Sequence, residues 1–336
     1  MSKIVTFGEV MLRLSTDNYR KIQQSDIFRA SYAGSELNVA VSLANFGEQT
    51  YFVTKLPKNI LGDTVISVLN RFNVNSKFIK YDNNRLGTYY VERGASQRPT
   101  KVIYDRKFSS IALAKSLDFN WEQIFKGADW FHFSGITPAL SDELTEICFQ
   151  ACVKAKEMGV KISCDLNYRS KLWSKDKASE VMKRFMPYIN ILIANEEDAK
   201  VIFNYEYSDQ SSIDMKSYEY IIREVFNRNS FDKVFFTLRE SLNSTINGWS
   251  SISCDKQGIS RSKKYDIYIV DRLGGGDSFA AGIIYSELKS YCTKDQLEFA
   301  TAASCLKHTI NDDFNLSSVE DVKNLLESDG NARIKR

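Results

Sequence analysis

The sequence predicts an α/β protein, a mostly parallel central sheet covered by helices on both faces and carrying a small separate β appendage. Three observations support this. Short apolar runs alternate with helix-spaced segments along most of the 336 residues, the order that produces a parallel sheet flanked by helices. Two stretches, Arg13–Tyr32 and Gly87–Lys107, break the alternation and show no helical period. The chain is also long enough for one large domain with an appendage.

Taken in order, Lys3–Phe7 reads as a buried strand. Ser35–Phe46 has helical spacing through Leu37, Val41 and Ala44 and stops at Gly47, a suitable C-cap. Trp130–Phe133 is a short apolar run; Ser141 can cap a helix that starts Asp142-Glu143 and ends at Gly159. Val160–Cys164 and Ile189–Ala194 are strand-like, with a helix after Asn195, and Val234–Leu238 and Ile267–Val270 continue the series. Within the second interruption, Tyr89, Val91, Val102 and Tyr104 alternate in the strand manner around a polar turn at Gly94–Thr100. The expected division is therefore a core of residues 1–12, 33–86 and 108–336, with residues 13–32 and 87–107 forming a β-sheet lid. The tail 327–336 is polar and expected to fray.

Composition narrows the chemistry. The 45 basic and 42 acidic residues leave a net charge of +3 with no basic stripe, which argues against nucleic acid as a partner. No run of about 18 apolar residues would span a membrane, and the N-terminus enters a strand pattern without a signal-peptide cleavage site. The six cysteines sit mostly in apolar-patterned segments, and Cys148 and Cys152 lack a second pair to complete a zinc site. Reduced, buried thiols fit a cytoplasmic location. With only His132 and His308 available, carboxylates, cationic side chains and backbone amides must carry any catalysis.

The strongest motif runs from Val270 to Gly282, where Gly274, Gly275, Gly276 and Asp277 lie between a strand and an apolar helix. Glycine amides at a helix N-terminus bind anions through unsatisfied donors and the macrodipole. Asp277 in that place is either a cap or a base beside an anion hole. No Walker-type Gly-Lys-Ser/Thr loop and no dinucleotide glycine fingerprint is present, which removes P-loop kinases and makes a nicotinamide dehydrogenase remote.

At these residues the chain resembles the ribokinase-like (PfkB) carbohydrate kinases, whose signature is Asp-x-x-Gly-Ala-Gly-Asp-x-Phe. The resemblance runs nearly end to end. It includes Gly8-Glu9 with Arg13-Leu14, Gly34 to Ala40 as the sugar-contacting motif, Asn195 to Asp198 as the magnesium-organising stretch, and Thr237 to Glu240 beside the nucleotide. It is closest to the 2-keto-3-deoxygluconate kinase group, through Gly87-Thr88-Tyr89-Tyr90, Tyr104-Asp105-Arg106, Ser134–Leu140 and Asp165–Arg169. Four positions depart from the family pattern: Ser35 for glycine, Gly275 for alanine, Asp198 for glutamate and Arg239 for glycine.

The resemblance implies a three-layer ribokinase-like sandwich and phosphorylation of a terminal sugar-acid hydroxyl by ATP, with Asp277 as base and Gly274, Gly275 and Gly276 as anion hole. Gly34, Ser35, Asn38, Tyr89, Tyr104, Arg106, Ile136 and Arg169 would hold the substrate. Arg106 and Arg169 suit a carboxylate, because a guanidinium fork matches that geometry. Asn195, Thr237, Arg239, Glu240, Gly274 and Gly276 would meet the nucleotide, and Asn195 and Asp198 would organise Mg2+. A monovalent cation such as K+ and a homodimer formed through the lid are further expectations. The competing readings are a kinase of a neutral sugar such as fructose or ribose, and a catalytically silent sugar-acid binding protein.

Overall fold

The computed structural model describes residues 1–205 and 214–328; of the polar tail, residues 329–336 lie outside it. The main sheet has nine strands. Its spatial order is Gly258–Arg261, Ile246–Asp255, Lys233–Ser241, Ile191–Ala194, Lys161–Asp165, Trp130–Ser134, Lys3–Phe7 and Gln49–Val53, with Tyr265–Tyr268 pairing alongside Ile246–Asp255. From Gln49–Val53 to Lys233–Ser241 every pairing is parallel. These strands are mostly buried because both faces are covered. One face packs on Phe131, Phe133, Leu192 and Phe236, the other on Trp130, Ile191, Phe235 and Phe279.

Beyond Lys233–Ser241 the sheet turns antiparallel. Of Ile267–Val270, expected to continue the parallel series, Ile267 and Tyr268 end the short strand Tyr265–Tyr268, which pairs antiparallel with Ile246–Asp255, and Ile269 and Val270 follow it outside the sheet. Tight connections such as Asp255–Gly258 permit hairpins, whereas a parallel pair needs a crossover.

A second sheet of four strands takes its order from Phe28–Ala33, Met11–Thr16, Gly87–Glu92 and Lys101–Asp105. Both interrupting stretches contribute to it. Arg13–Tyr32, which lacks a strand alternation long enough to read, supplies two strands joined by a polar loop. Among the described residues, no helix is long and apolar enough to cross a membrane. All six cysteines are free thiols; five are buried, and Cys292 is exposed at the start of the helix Thr293–Lys307.

The parallel strands end toward the same edge. Lys3–Phe7 leads into Gly8-Glu9, Trp130–Ser134 into Gly135-Ile136, Lys161–Asp165 into Asn167–Arg169, and Ile191–Ala194 into Asn195. Strand order reverses between Lys3–Phe7 and Trp130–Ser134, because the chain builds outward to Gln49–Val53 on one side and to Lys161–Asp165 on the other. Open α/β sheets bind ligands in the crevice at such a switch point.

Candidate active site

The helix Gly275–Leu288 begins immediately after Gly274, whose φ of +83° is left-handed. A Cβ at Gly274 would lie 1.9 Å from the Asp313 carbonyl oxygen, so only glycine fits there. No side chain caps this helix, which leaves its first amides available to an anion. Gly275 packs against the His308 ring and accepts from Ser304 Oγ through its carbonyl, while Gly276 is exposed. The helix therefore starts at the glycines, two residues before Asp277.

Asp277 is buried, and both its oxygens are held. Ser35 Oγ donates to Oδ1 at 2.6 Å and Asn38 Nδ2 donates to Oδ2 at 2.7 Å. Both donors sit on the helix Ser35–Asn45, whose N-cap Gly34 must be glycine because a Cβ there would meet the Glu9 carbonyl. Burial raises the Asp277 pKa; the Ser35 and Asn38 hydrogen bonds oppose the rise, Asp313 adds to it and Arg169 resists it. A neutral cap does not need two such donors. They suit a carboxylate held ready to accept a proton.

Two cavities meet at this residue. One, of about 580 Å³, lies between the small sheet and the core. Gly34, Ser35, Asn38, Tyr89, Tyr104, Arg106, Ile136, Arg169 and Asp277 all line it, bringing together every residue assigned to the sugar from sequence. The other, of about 1140 Å³, is lined by Asn195, Thr237, Arg239, Gly274 and Gly276, together with Asp165, Glu197, Trp249, Arg272 and His308. Asn167, Arg169, Leu273, Gly274 and Asp277 line both.

Three residues read from sequence stand apart from these walls. Glu240 pairs with Lys264 on the antiparallel edge, outside the lining of either cavity. Gly275 faces His308 rather than the opening. Asp198 is buried beneath the second cavity, where Oδ1 accepts from Tyr168 N at 2.8 Å and Oδ2 from Asn195 N at 3.1 Å. Asn195 Oδ1 in turn accepts from Asp198 N at 2.9 Å, closing a reciprocal cap on the helix Glu196–Phe203. Burial pushes Asp198 up to about 6 against these amide bonds. The shorter aspartate thus anchors the loop Asp165–Arg169 to the helix, and the exposed neighbour Glu197 faces the cavity instead.

Arg106 is less free than its motif suggests. Its Nε and Nη2 both donate to Glu9 Oε2, and Ser109 Oγ donates to Glu9 Oε1. Among the described residues, Arg169 Nη1 bonds its neighbour's carbonyl, Tyr168 O, at 3.0 Å. Tyr89 donates to Asp313 at 3.0 Å and stacks on Tyr104.

Sequence reasoning overlooked several groups. Asp313 and Glu36 line the sugar-side cavity and Asp165 the other. Glu36 Oε1 receives Ser134 N, Ser134 Oγ and Thr137 Oγ1, and burial, opposed by these bonds, pushes its pKa up to about 7. Asp165 is raised well above the usual carboxylate range by burial, then by Asp198 and Asp277. Asp165 and Glu36 lay inside recognised motifs, so their position was available as a signal. Asp313 sits in a polar loop without periodicity and offered none. His132 lies inside the sheet, with Nδ1 2.8 Å from Ser163 Oγ.

Comparison with known proteins agrees with this geometry. The profile of the pfkB family carbohydrate kinases matches residues 1–238. The crystal structure of 2-dehydro-3-deoxygluconokinase from Thermotoga maritima superposes with a TM-score of 0.94 at 47% identity, covering 97% of this chain and 98% of that one. The 2-dehydro-3-deoxygalactonokinase of Haloferax volcanii is 29% identical over 100% of this chain and 99% of its own length. The 2-dehydro-3-deoxygluconokinase of Bacillus subtilis is 24% identical over 90% of this chain and 88% of its own.

Proposed function

The chain belongs to the pfkB family of carbohydrate kinases, and from that premise we propose that it phosphorylates the terminal hydroxyl of 2-keto-3-deoxygluconate or a close sugar acid with ATP. The observation that carries this reading is the meeting of two cavities at one buried carboxylate, Asp277. A phosphoryl acceptor and donor need to be held in line with a base between them.

On this reading, the sugar acid lies under the small sheet and the nucleotide lies along Asn195, Thr237 and Arg239. Asp277 takes the proton of the terminal hydroxyl as its oxygen bonds the terminal phosphorus of ATP and the bond to the ADP oxygen breaks. Ser35 and Asn38 keep both carboxylate oxygens oriented toward that hydroxyl. The amides of the Gly274–Gly276 turn face the charge that gathers on the migrating group. Arg169, which lines both cavities, pairs with the substrate carboxylate or the phosphoryl oxygens. Residues 13–32 and 87–107 act as a lid that excludes water from the reacting atoms.

The nucleotide-side cavity offers hard oxygen donors suited to Mg2+: Asn195, Glu197 and the carboxylate of Asp165. Among the described residues, no cluster of three or more His, Cys, Asp or Glu converges as a metal cage. When bound, Mg2+ would supply charge neutralisation between the phosphates.

The test is a coupled ATP-consumption assay over a panel of sugar acids and neutral sugars, run with wild type and Asp277→Asn. Turnover with a sugar acid, lost by about 10²- to 10⁴-fold in the variant, is the expected result. Preference for fructose or ribose would favour the neutral-sugar reading, and full activity in Asp277→Asn would remove the base. Because burial raises Asp277, kcat/KM should fall on the acid side with an inflection above the ordinary carboxylate range.

A further inference from the structure

A monovalent cation needs a cage of carbonyl and carboxylate oxygens, and one oxygen-rich place adjoins the proposed anion hole. It lies behind Gly274, where the Asp313 carbonyl presses on the glycine and the carboxylates of Asp271 and Asp313 converge. That place is already filled by cationic side chains. The fully buried Arg13 reaches Asp271 through Nη2 and Asp313 through Nη1, each at 2.5 Å. Lys307, the last residue of the helix Thr293–Lys307, is fully buried beside it.

Lysine is almost never fully buried unless a partner balances the loss of hydration. Here the ammonium donates a long hydrogen bond of 3.3 Å to the Ile310 carbonyl. A Cβ on Gly274 would sit 3.1 Å from Lys307 Cε, so the side chain packs directly against the turn. Burial lowers the Lys307 pKa, and attraction to Asp271, Asp313 and Asp277 opposes that. The helix C-terminus contributes further negative potential.

We propose that Lys307 is a built-in cation that takes the place a monovalent ion would fill, holding the Gly274 turn in its left-handed form and making phosphoryl transfer independent of K+. The inference rests on reading that turn as the anion hole. Lys307 acts through Gly274 and Asp277 and is a positioning residue.

Its test uses the full chain at constant ionic strength, with choline chloride as the inert salt. Wild-type turnover should be unchanged when KCl replaces choline chloride. Lys307→Met should lose about tenfold or more in kcat, with KM for both substrates little altered, a split that general loosening of the fold would not give. In Lys307→Gly, methylammonium or K+ should restore part of kcat, and choline should not. Severalfold stimulation of the wild type by K+ overturns the proposal without any variant, and so does full kcat in a folded Lys307→Met. Asp277→Asn run alongside separates the two readings. Activity retained there removes the reading of this place as the catalytic centre with Asp277 as base, on which the proposal rests, whereas activity lost there but kept in Lys307→Met removes only the role of Lys307.

Discussion

Two arginines face the sugar-side cavity under different constraints. Arg106 is tied to Glu9, and both are buried; removing one partner of such a pair leaves an uncompensated charge and costs roughly 3–5 kcal/mol. Arg169 is exposed, and among the described residues its guanidinium is committed to the Tyr168 carbonyl alone. A hydrogen bond to a charged group contributes roughly 1.5–3 kcal/mol, about ten- to a hundredfold in affinity. Arg169→Ala should therefore raise KM for the sugar acid by about that factor and leave the melting temperature unchanged. Arg106→Ala should lower the melting temperature whatever its effect on KM. Steady-state kinetics and calorimetry on both variants check the distinction, and equal effects on KM and melting would refute it. The sequence made both arginines visible through their motifs, but Glu9's prior claim on Arg106 depends on a contact across 97 residues, which no local pattern encodes. Asp198 illustrates the same limit. Its motif pointed to a metal, and the bond by which its Oδ1 also accepts from Tyr168 N spans 30 residues.

The helix Gly275–Leu288 joins the proposed anion hole to the rest of the core. It packs closely on Thr293–Lys307, because a Cβ at Gly282 would come within 2.6 Å of Ala300 Cα. At its far end Glu287 receives Lys161 at 2.5 Å and Lys233 at 2.6 Å, from the two strands that flank Ile191–Ala194 in the sheet. Burial would raise the Glu287 pKa, but the hydrogen bonds and charges of Lys161 and Lys233 outweigh it and hold the group at about 2. A carboxylate depressed in the folded state stabilises above its unfolded pKa and loses that contribution as pH falls through the folded value. The melting temperature should therefore drop between about pH 4.5 and pH 2, and Glu287→Gln should flatten that part of the profile. An unchanged profile in the variant would show that the helix is not anchored this way. The main parallel strands and these helices were legible because continuous apolar runs and 3.6-residue spacing are local properties. The antiparallel edge was not. The apolar run Ile267–Val270 overlaps only the end of Tyr265–Tyr268, and the short turns around Ile246–Asp255 set that strand's direction.

At the scale of the whole molecule, the small sheet has two faces with different tasks. Met11, Arg13 and Tyr89 point inward and are buried, while Leu12, Leu14 and Tyr90 are only half-covered. Cross-strand register sets Leu14 against Ala30 and Tyr90, and Tyr90 against Ile103, so these residues share the outer face. Phe28 packs edge-on against Tyr90, and Ile103 is 52% exposed. A contiguous apolar face of this kind on a half-covered sheet is a surface for association, and we propose that two copies of the chain pair through it. Pairing would also stiffen the strands that carry Tyr89 and Tyr104 over the substrate, coupling assembly to closure of the cavity. Light scattering on the purified protein should give twice the chain mass of 38.4 kDa. Ile103→Glu places a charge on the face without touching the cavity, and it should shift the mass to that of one chain. If stiffening of the lid matters, the same variant should raise KM for the sugar acid more than KM for ATP, since only the sugar-side cavity borrows its wall from this sheet. A wild-type protein that stays monomeric at tens of micromolar would overturn pairing through the outer face.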